Sequence, residues 1–271
     1  MASMPIPRLL LLLGVSALAA GLAAADFEIG PVDAGAGDKA PARHSERKAS
    51  DDGLGGVPTS DVPVYIEAGD VPTAYGLKKY ELRTDFKFHE GGGILSKAYL
   101  GLFPRFFLGG AMELRNAIGS GDIHLRRDDA QLLARLLVLV EDEAVPALAI
   151  GWDGPAYERG EAKGLYLTVS KELPTSLAFL QFHGGLNTAN VEQFQANRDL
   201  RANFAVTTAI HNVGLFTEVD EVLNPLGSRW NAGILGYFSP ITLGLQFRDL
   251  ASPRPNTPVS RLLKVSWDGR F

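Results

Sequence analysis

From residue 75 to its last residue the chain repeats one pattern about twelve times, a run of roughly ten residues in which apolar side chains alternate with polar or small ones. A period of two assigns strand, because successive side chains of a strand point to opposite faces. The clearest copy is Tyr80 to Phe88. Tyr80, Leu82, Thr84, Phe86 and Phe88 fall on one face, and Glu81, Arg83, Asp85 and Lys87 on the other. A wall with hydrocarbon on one side and a polar lumen on the other satisfies both faces at once. The fold class expected is all-β, an antiparallel transmembrane β-barrel of about twelve strands.

The pattern predicts strands at 78–88, 94–102, 105–115, 131–141, 146–152, 164–172, 177–185, 200–209, 213–220, 229–237, 241–250 and 260–271. Their connections alternate in length. Tight ones lie at Phe103-Pro104-Arg105, Asp142 to Val145, Leu173 to Ser176, Ile210 to Asn212 and Phe238-Ser239-Pro240. Longer ones lie at Asn116 to Ala130, Asp153 to Lys163, Leu186 to Asp199, Glu221 to Ser228 and Ala251 to Val259, and only His89 to Gly93 is short where a long one is due. A barrel with both chain ends on one side of a membrane sorts its loops by parity in this way.

A Lys or Arg facing lipid near the midplane costs roughly 2–4 kcal/mol, so charges mark the inner face. The lumen-lining candidates are Arg83, Lys97, Glu113, Arg115, Arg135, His183, Arg201, Arg248 and Lys264, joined by Gln181, Asn203, Glu218 and Gln246. Bases outnumber acids in that set, which predicts a mildly cationic lumen favouring anions, or paired charges that fill a narrow interior. Leu100, Leu108, Met112, Leu136, Val138, Ile150, Leu167, Phe182, Phe204, Leu245, Phe247 and Val265 are expected to face outward. Trp152, Tyr237, Trp267 and Phe271 sit near strand ends, where an interfacial aromatic girdle belongs. The final run, with Val265, Trp267 and Phe271 at alternate positions, has the form of a signal read by barrel-insertion machinery.

Arg8, the apolar run from Leu9 and the small residues Ala23-Ala24-Ala25 predict a cleaved signal peptide over 1–25. Residues 26–74 are rich in Gly, Ala, Pro, Ser, Asp and Lys, which predicts a flexible periplasmic segment before the barrel of 75–271. Within that segment the apolar patch Val62 to Ile66 is a candidate to dock, with the barrel mouth as its place. The 271 residues contain no cysteine, which excludes disulfides and thiolate chemistry, and a net charge of −5 argues against a nucleic-acid partner.

Several short stretches, in order, resemble a poorly characterised group of Gram-negative outer-membrane barrels. They are Gly91 to Leu95, Gly101 to Phe106, Ile118 to Asp122, Pro146 to Asp153, Lys163 to Tyr166 with Val169-Ser170-Lys171, His183 to Asn187, Asn231-Ala232-Gly233 and Arg248-Asp249-Leu250. The resemblance covers about residues 72 to 271 and implies an outer-membrane location, with outer-membrane lipid as surroundings. Related barrels are associated with exopolysaccharide production and export, which implies a polysaccharide or other export components as partners. It carries over no catalytic residue. The chain departs from the group in its short Asp153 to Lys163 loop and its Pro-rich Ser252 to Pro258 loop.

Chemistry-bearing residues are sparse. Ser170 and His183 fall on adjacent predicted strands, as in barrel enzymes that act on lipids, but no activated-nucleophile motif surrounds either. Ile118-Gly119-Ser120-Gly121 lacks the first glycine of the nucleophile elbow. Asp122 with His124, and Asp128-Asp129, match no metal-ligand spacing. The leading expectation is a non-enzymatic barrel without cofactor or metal, a channel or export accessory. A lipase or deacylase centred on His183 and a soluble periplasmic β-sandwich binding a partner are the alternatives.

Overall fold

The computed structural model describes residues 65–119, 122–125, 131–154, 163–174, 178–188, 200–224, 227–251 and 258–270. The expected signal peptide, residues 26–64 of the segment after it, Ser120, Asp128-Asp129 and Phe271 lie outside the described residues.

Among the described residues thirteen strands follow one another: β1 (Glu81–His89), β2 (Ile94–Phe103), β3 (Phe106–Arg115), β4 (His124–Leu125), β5 (Gln131–Leu139), β6 (Ala147–Asp153), β7 (Gly164–Pro174), β8 (Phe179–Thr188), β9 (Arg201–Ile210), β10 (Val213–Asp220), β11 (Arg229–Phe238), β12 (Ile241–Arg248) and β13 (Ser260–Arg270). Each pairs antiparallel with its neighbour, and β13 pairs with β1 over Glu81↔Arg270 to His89↔Leu262, so twelve strands close into a barrel. The thirteenth, β4, is a two-residue strand in the loop after β3 that pairs only with Leu114 and Arg115. The period-two pattern does not reveal it because two residues carry no period.

Closure of the twelve wall strands leaves the wall no open edge, so it meets its backbone hydrogen bonds internally. Its outer face is apolar. Leu108, Met112, Leu136, Ile150, Leu167, Phe182, Phe204, Ile234, Leu245 and Leu263 are exposed there, while their strand neighbours Phe107, Ala111, Arg135, Ala149, Thr168, His183, Asn203, Leu235, Gln246 and Leu262 are buried. The β5–β6 pairing carries a bulge between Leu137 and Leu139, which leaves both Val138 and Leu139 exposed. At the tight end, Asp142 Oδ1 accepts from the amides of Ala144 and Val145 at 2.8 and 2.7 Å, fixing the β5–β6 turn by a side chain suited to that geometry.

The interior is full. Residues Tyr65 to Tyr75, all but the last within the segment expected to be flexible, are buried inside the barrel. Composition misjudged them because their partners are supplied by the wall, a term that local hydrophobicity does not contain. Tyr237 also departs from expectation. It faces the lumen, and its ring lies 5.9 Å from that of Tyr65 at 67°, so the aromatic at this strand end clamps an inserted segment instead of standing in a girdle. Gly214 makes the clamp possible, since a Cβ there would lie 2.3 Å from the Tyr65 hydroxyl and 2.2 Å from that of Tyr237.

Candidate gate: a hairpin seated in the lumen

Tyr65 to Tyr75 turn back on themselves around Gly69-Asp70. Glu67 and Pro72 form an antiparallel bridge, Ala68 N–H donates to Val71 O at 3.0 Å and Thr73 N–H to Ile66 O at 3.0 Å. The Thr73 hydroxyl donates to Tyr65 O and pins the open end. Tyr65 packs with Ala209, Phe216, Leu235 and Tyr237, and Ile66 with Leu77, Tyr99 and Phe107, which places the base of the hairpin in the half of the barrel that carries the tight turns. The tip reaches the half that carries the long loops, beside Glu218, Gln246 and Arg248.

The tip is held by charge. Lys87 Nζ, only 1% exposed as a side chain, donates to Glu67 Oε2 at 2.8 Å, Gly69 O at 2.8 Å and Asp70 Oδ1 at 3.3 Å. Lys97 Nζ reaches Glu67 Oε1 at 2.5 Å and Asp153 Oδ2 at 3.0 Å, and the Tyr99 hydroxyl donates to the same Glu67 oxygen at 3.2 Å. Asp70 Oδ2 meets Arg248 Nε at 2.7 Å and accepts from Gln246 Nε2 at 3.2 Å. From β10 the Glu218 carboxylate accepts the backbone amides of Gly69 at 3.0 Å, Asp70 at 2.9 Å and Val71 at 3.1 Å, together with Asn231 Nδ2 at 2.7 Å. Three successive amides converging on one carboxylate form an anion nest. Gly69 permits the approach, because a Cβ there would lie 2.5 Å from Phe216 Cε2 and 2.9 Å from Glu218 Oε1.

Burial alone would raise the carboxyl groups of the hairpin. The fields of Lys87, Lys97 and Lys264 at Glu67, and of Arg248, Lys87 and Lys163 at Asp70, outweigh it and hold both well below the ordinary carboxylate range.

The returning leg is held without charge on its own side chains. The Thr168 hydroxyl donates to Pro72 O at 2.9 Å, and Ala74 N–H donates to Ser170 Oγ at 2.7 Å. Arg135 spans both legs, with Nη2 on Ile66 O at 3.1 Å, Nη1 on Tyr75 O at 2.8 Å and Nε on the Tyr166 hydroxyl at 2.7 Å. Ser170 Oγ lies 2.8 Å from His183 Nδ1, and His183 Nε2 lies 3.3 Å from Thr207 Oγ1. Tyr75 meets the His183 ring edge-on at 5.8 Å. A nucleophile needs an approach path and a base oriented by a third group, usually a carboxylate. Here the serine oxygen is taken by Ala74, the far nitrogen faces a threonine, and the pair is sealed under the hairpin. Its chemistry in this state is that of a neutral hydrogen-bonded support.

The structure places Arg83, Lys97, Glu113, Arg135, His183, Arg201 and Arg248 in the buried interior. Lys264 sits 3.4 Å from Asp85 with its side chain 13% exposed, and Arg115 lies at the rim, 35% exposed, 3.4 Å from Glu113. Lys97, Arg135 and Arg248 contact the hairpin, whereas Arg83 makes a two-pronged pair with Asp268 at 2.5 and 2.9 Å. Val265 and Trp267 face outward on β13, where Trp267 is exposed and Ser266 between them is buried. Asp122 is exposed, and no group of metal-ligating side chains occurs among the described residues.

The expected surplus of inward bases is corrected by the acids that the wall and hairpin bring with them. Glu67, Asp70, Asp85, Asp153, Asp220, Glu221 and Asp249 are buried beside Glu113 and Glu218. At the end with the long loops, Lys163 pairs with Asp220, and Arg229 with Asp249 at 3.4 Å. Near the base a cavity of about 20 Å³ remains between Tyr65, Arg83, Tyr237 and Lys264, room for roughly one water. Glu67 and Asp70, the acids that occupy the basic seat, were not singled out from sequence. The available signal was the turn Ala68-Gly69-Asp70-Val71 flanked by Tyr65-Ile66 and by Thr73 and Tyr75, a hairpin phrase of the same kind that separates the wall strands.

No family model and no curated protein matches the chain. Among solved structures it is similar to a double mutant of the Rh. blastica porin, at 7% identity and a TM-score of 0.25, with 70% of this chain and 98% of the porin covered.

Proposed function

We propose that the chain is an outer-membrane channel closed by its own amino-terminal hairpin, serving export of a polysaccharide or another polar solute. One observation carries this reading. A closed barrel with an apolar outer belt holds in its lumen a segment that is not part of the wall, attached by ion pairs and hydrogen bonds. A barrel built only as a scaffold fills its interior with wall side chains. Here the hairpin covers Lys87, Lys97, Arg135 and Arg248, and its withdrawal would uncover a file of cations through which a polar chain could pass. The apolar belt supports residence in lipid, and alternate outward residues ending on Val265 and Trp267 support delivery by barrel-insertion machinery.

The test is planar-bilayer conductance of the refolded protein as residues 26–271 and as a form lacking 26–75. The first is expected to be silent or to flicker rarely. The second is expected to give discrete steps with anion preference, reduced when Lys97, Arg135 and Arg248 are changed to Gln. Silence of both overturns the channel reading and leaves a filled barrel acting as an export accessory.

A further inference from the structure

The seat under the hairpin has a chemistry of its own. Lys87, Lys97 and Arg248 surround two carboxylates, with Lys87 Nζ touching both, at 2.8 Å from Glu67 and 3.3 Å from Asp70. Lys97 lies on the far side of one and Arg248 on the far side of the other. These cations are buried and belong to the wall, so they remain when the hairpin leaves.

The same seat also holds groups that a bare anion would not use. Glu218 and Asp153 offer carboxylate oxygens, Tyr99 a hydroxyl, and Asn231 and Gln246 side-chain amides, all within hydrogen-bond distance of the hairpin or its immediate partners. Wall carboxylates beside the cations repel a compact, highly charged anion such as sulfate or phosphate. They accept hydrogen bonds from neutral hydroxyls. Spaced carboxylates together with many hydroxyls describe an acidic sugar chain.

We infer that this seat is a binding site for a carboxylate-bearing saccharide, a hexuronate chain, for which Glu67 and Asp70 are an intramolecular stand-in, and that such a chain displaces the hairpin. The inference rests on the hairpin being the closure proposed above. It predicts that a ligand binds more tightly when the stand-in is weakened, because apparent affinity scales with the fraction of protein whose seat is vacant.

The experiment uses the full mature chain in detergent and measures the hairpin directly. The protein has no cysteine, so Ala68→Cys gives one thiol at a buried tip position, with Val71→Cys as a second reporter should the first fail to fold. Maleimide labelling is followed with oligogalacturonate, with glutarate as the small dicarboxylate, and with neutral maltooligosaccharide and sulfate at matched ionic strength. Oligogalacturonate is expected to speed labelling about tenfold or more, with no effect from maltooligosaccharide or sulfate. An equal effect of glutarate would overturn the saccharide assignment, because the sugar hydroxyls would contribute nothing, and a lesser one would support it.

Binding of fluorescent oligogalacturonate should tighten about tenfold or more in Glu67→Gln/Asp70→Asn, weaken in Lys87→Gln, and stay unchanged in Glu143→Gln, an exposed acid in a turn. Slow labelling unchanged by every anion, or equal acceleration by sulfate, overturns the inference while leaving a closed hairpin in place. Rapid labelling without ligand overturns both this inference and the closed gate.

Discussion

The two arcs of the lumen hold the hairpin by different means. Along β2, β1, β12 and β10 the grip is ionic, through Lys97, Lys87, Arg248 and Glu218. Along β7, β8 and β9 it rests on neutral groups, in which Thr168 and Ser170 bind hairpin backbone while His183 and Thr207 stand behind them. Neutral hydrogen bonds to backbone are worth about 1 kcal/mol each and are indifferent to what the hairpin side chains are. Buried ion pairs contribute little net stability when intact but cost about 3–5 kcal/mol when one partner is removed. One arc therefore positions the hairpin, and the other decides whether it stays.

The comparison breaks most sharply with Glu67→Gln/Asp70→Asn, which leaves Lys87, Lys97 and Arg248 facing neutral amides in a buried site. Docking is expected to weaken by about 3–5 kcal/mol, read as faster thiol labelling at position 68 and as channel opening in the bilayer. Glu218→Gln keeps the shape of the nest and removes its charge. A loss of about 1–3 kcal/mol is expected, measured by the same labelling rate.

Ser170→Ala removes the acceptor for Ala74 N–H on the opposite arc. It should cost about 1 kcal/mol and leave the response to added carboxylates unchanged, which sharpens the division of labour. If it abolished that response, the arcs would not be separable. The smallest effect is expected from pH. Glu67 and Asp70 are depressed in the docked state, so their contribution is complete above the free carboxyl values of about 4 and is lost only as pH falls through the lower docked values. In the Glu218→Gln background, where the carboxyl that faces the tip amides is already neutral, labelling at pH 7 and pH 5 should therefore agree, and release of the hairpin at pH 5 there would overturn the ionic account.

The wall was readable because each strand borders two different media, and alternation records both. Glu81, Arg83, Asp85 and Lys87 could face only inward, and every predicted wall strand has an observed counterpart within a few residues. The hairpin was not readable in that way. Its composition is that of a loop, and the groups that order it are remote in sequence, with Gly69 and Glu218 separated by 149 positions. Tyr237 shows the same limit on a single residue. An aromatic near a strand end fits an interface as well as a lumen, and only Tyr65, supplied from outside the wall, decides between them.

The hairpin is joined to β1 by the short link Gly76 to Tyr80, whose end is fixed where Tyr80 N–H donates to Gly101 O at 2.7 Å. Fully extended, such a link spans roughly 17 Å, so the base of an undocked hairpin stays within that distance of the start of β1. Its effective concentration at the seat then stays on the order of millimolar, and reclosure needs no encounter with a second molecule. On the proposed gating, a solute offering one carboxylate at a time would have to exceed that concentration to hold the passage open, whereas a polymer rebinding through many units would meet the requirement at far lower abundance, and the lumen would reseal once the last unit had left.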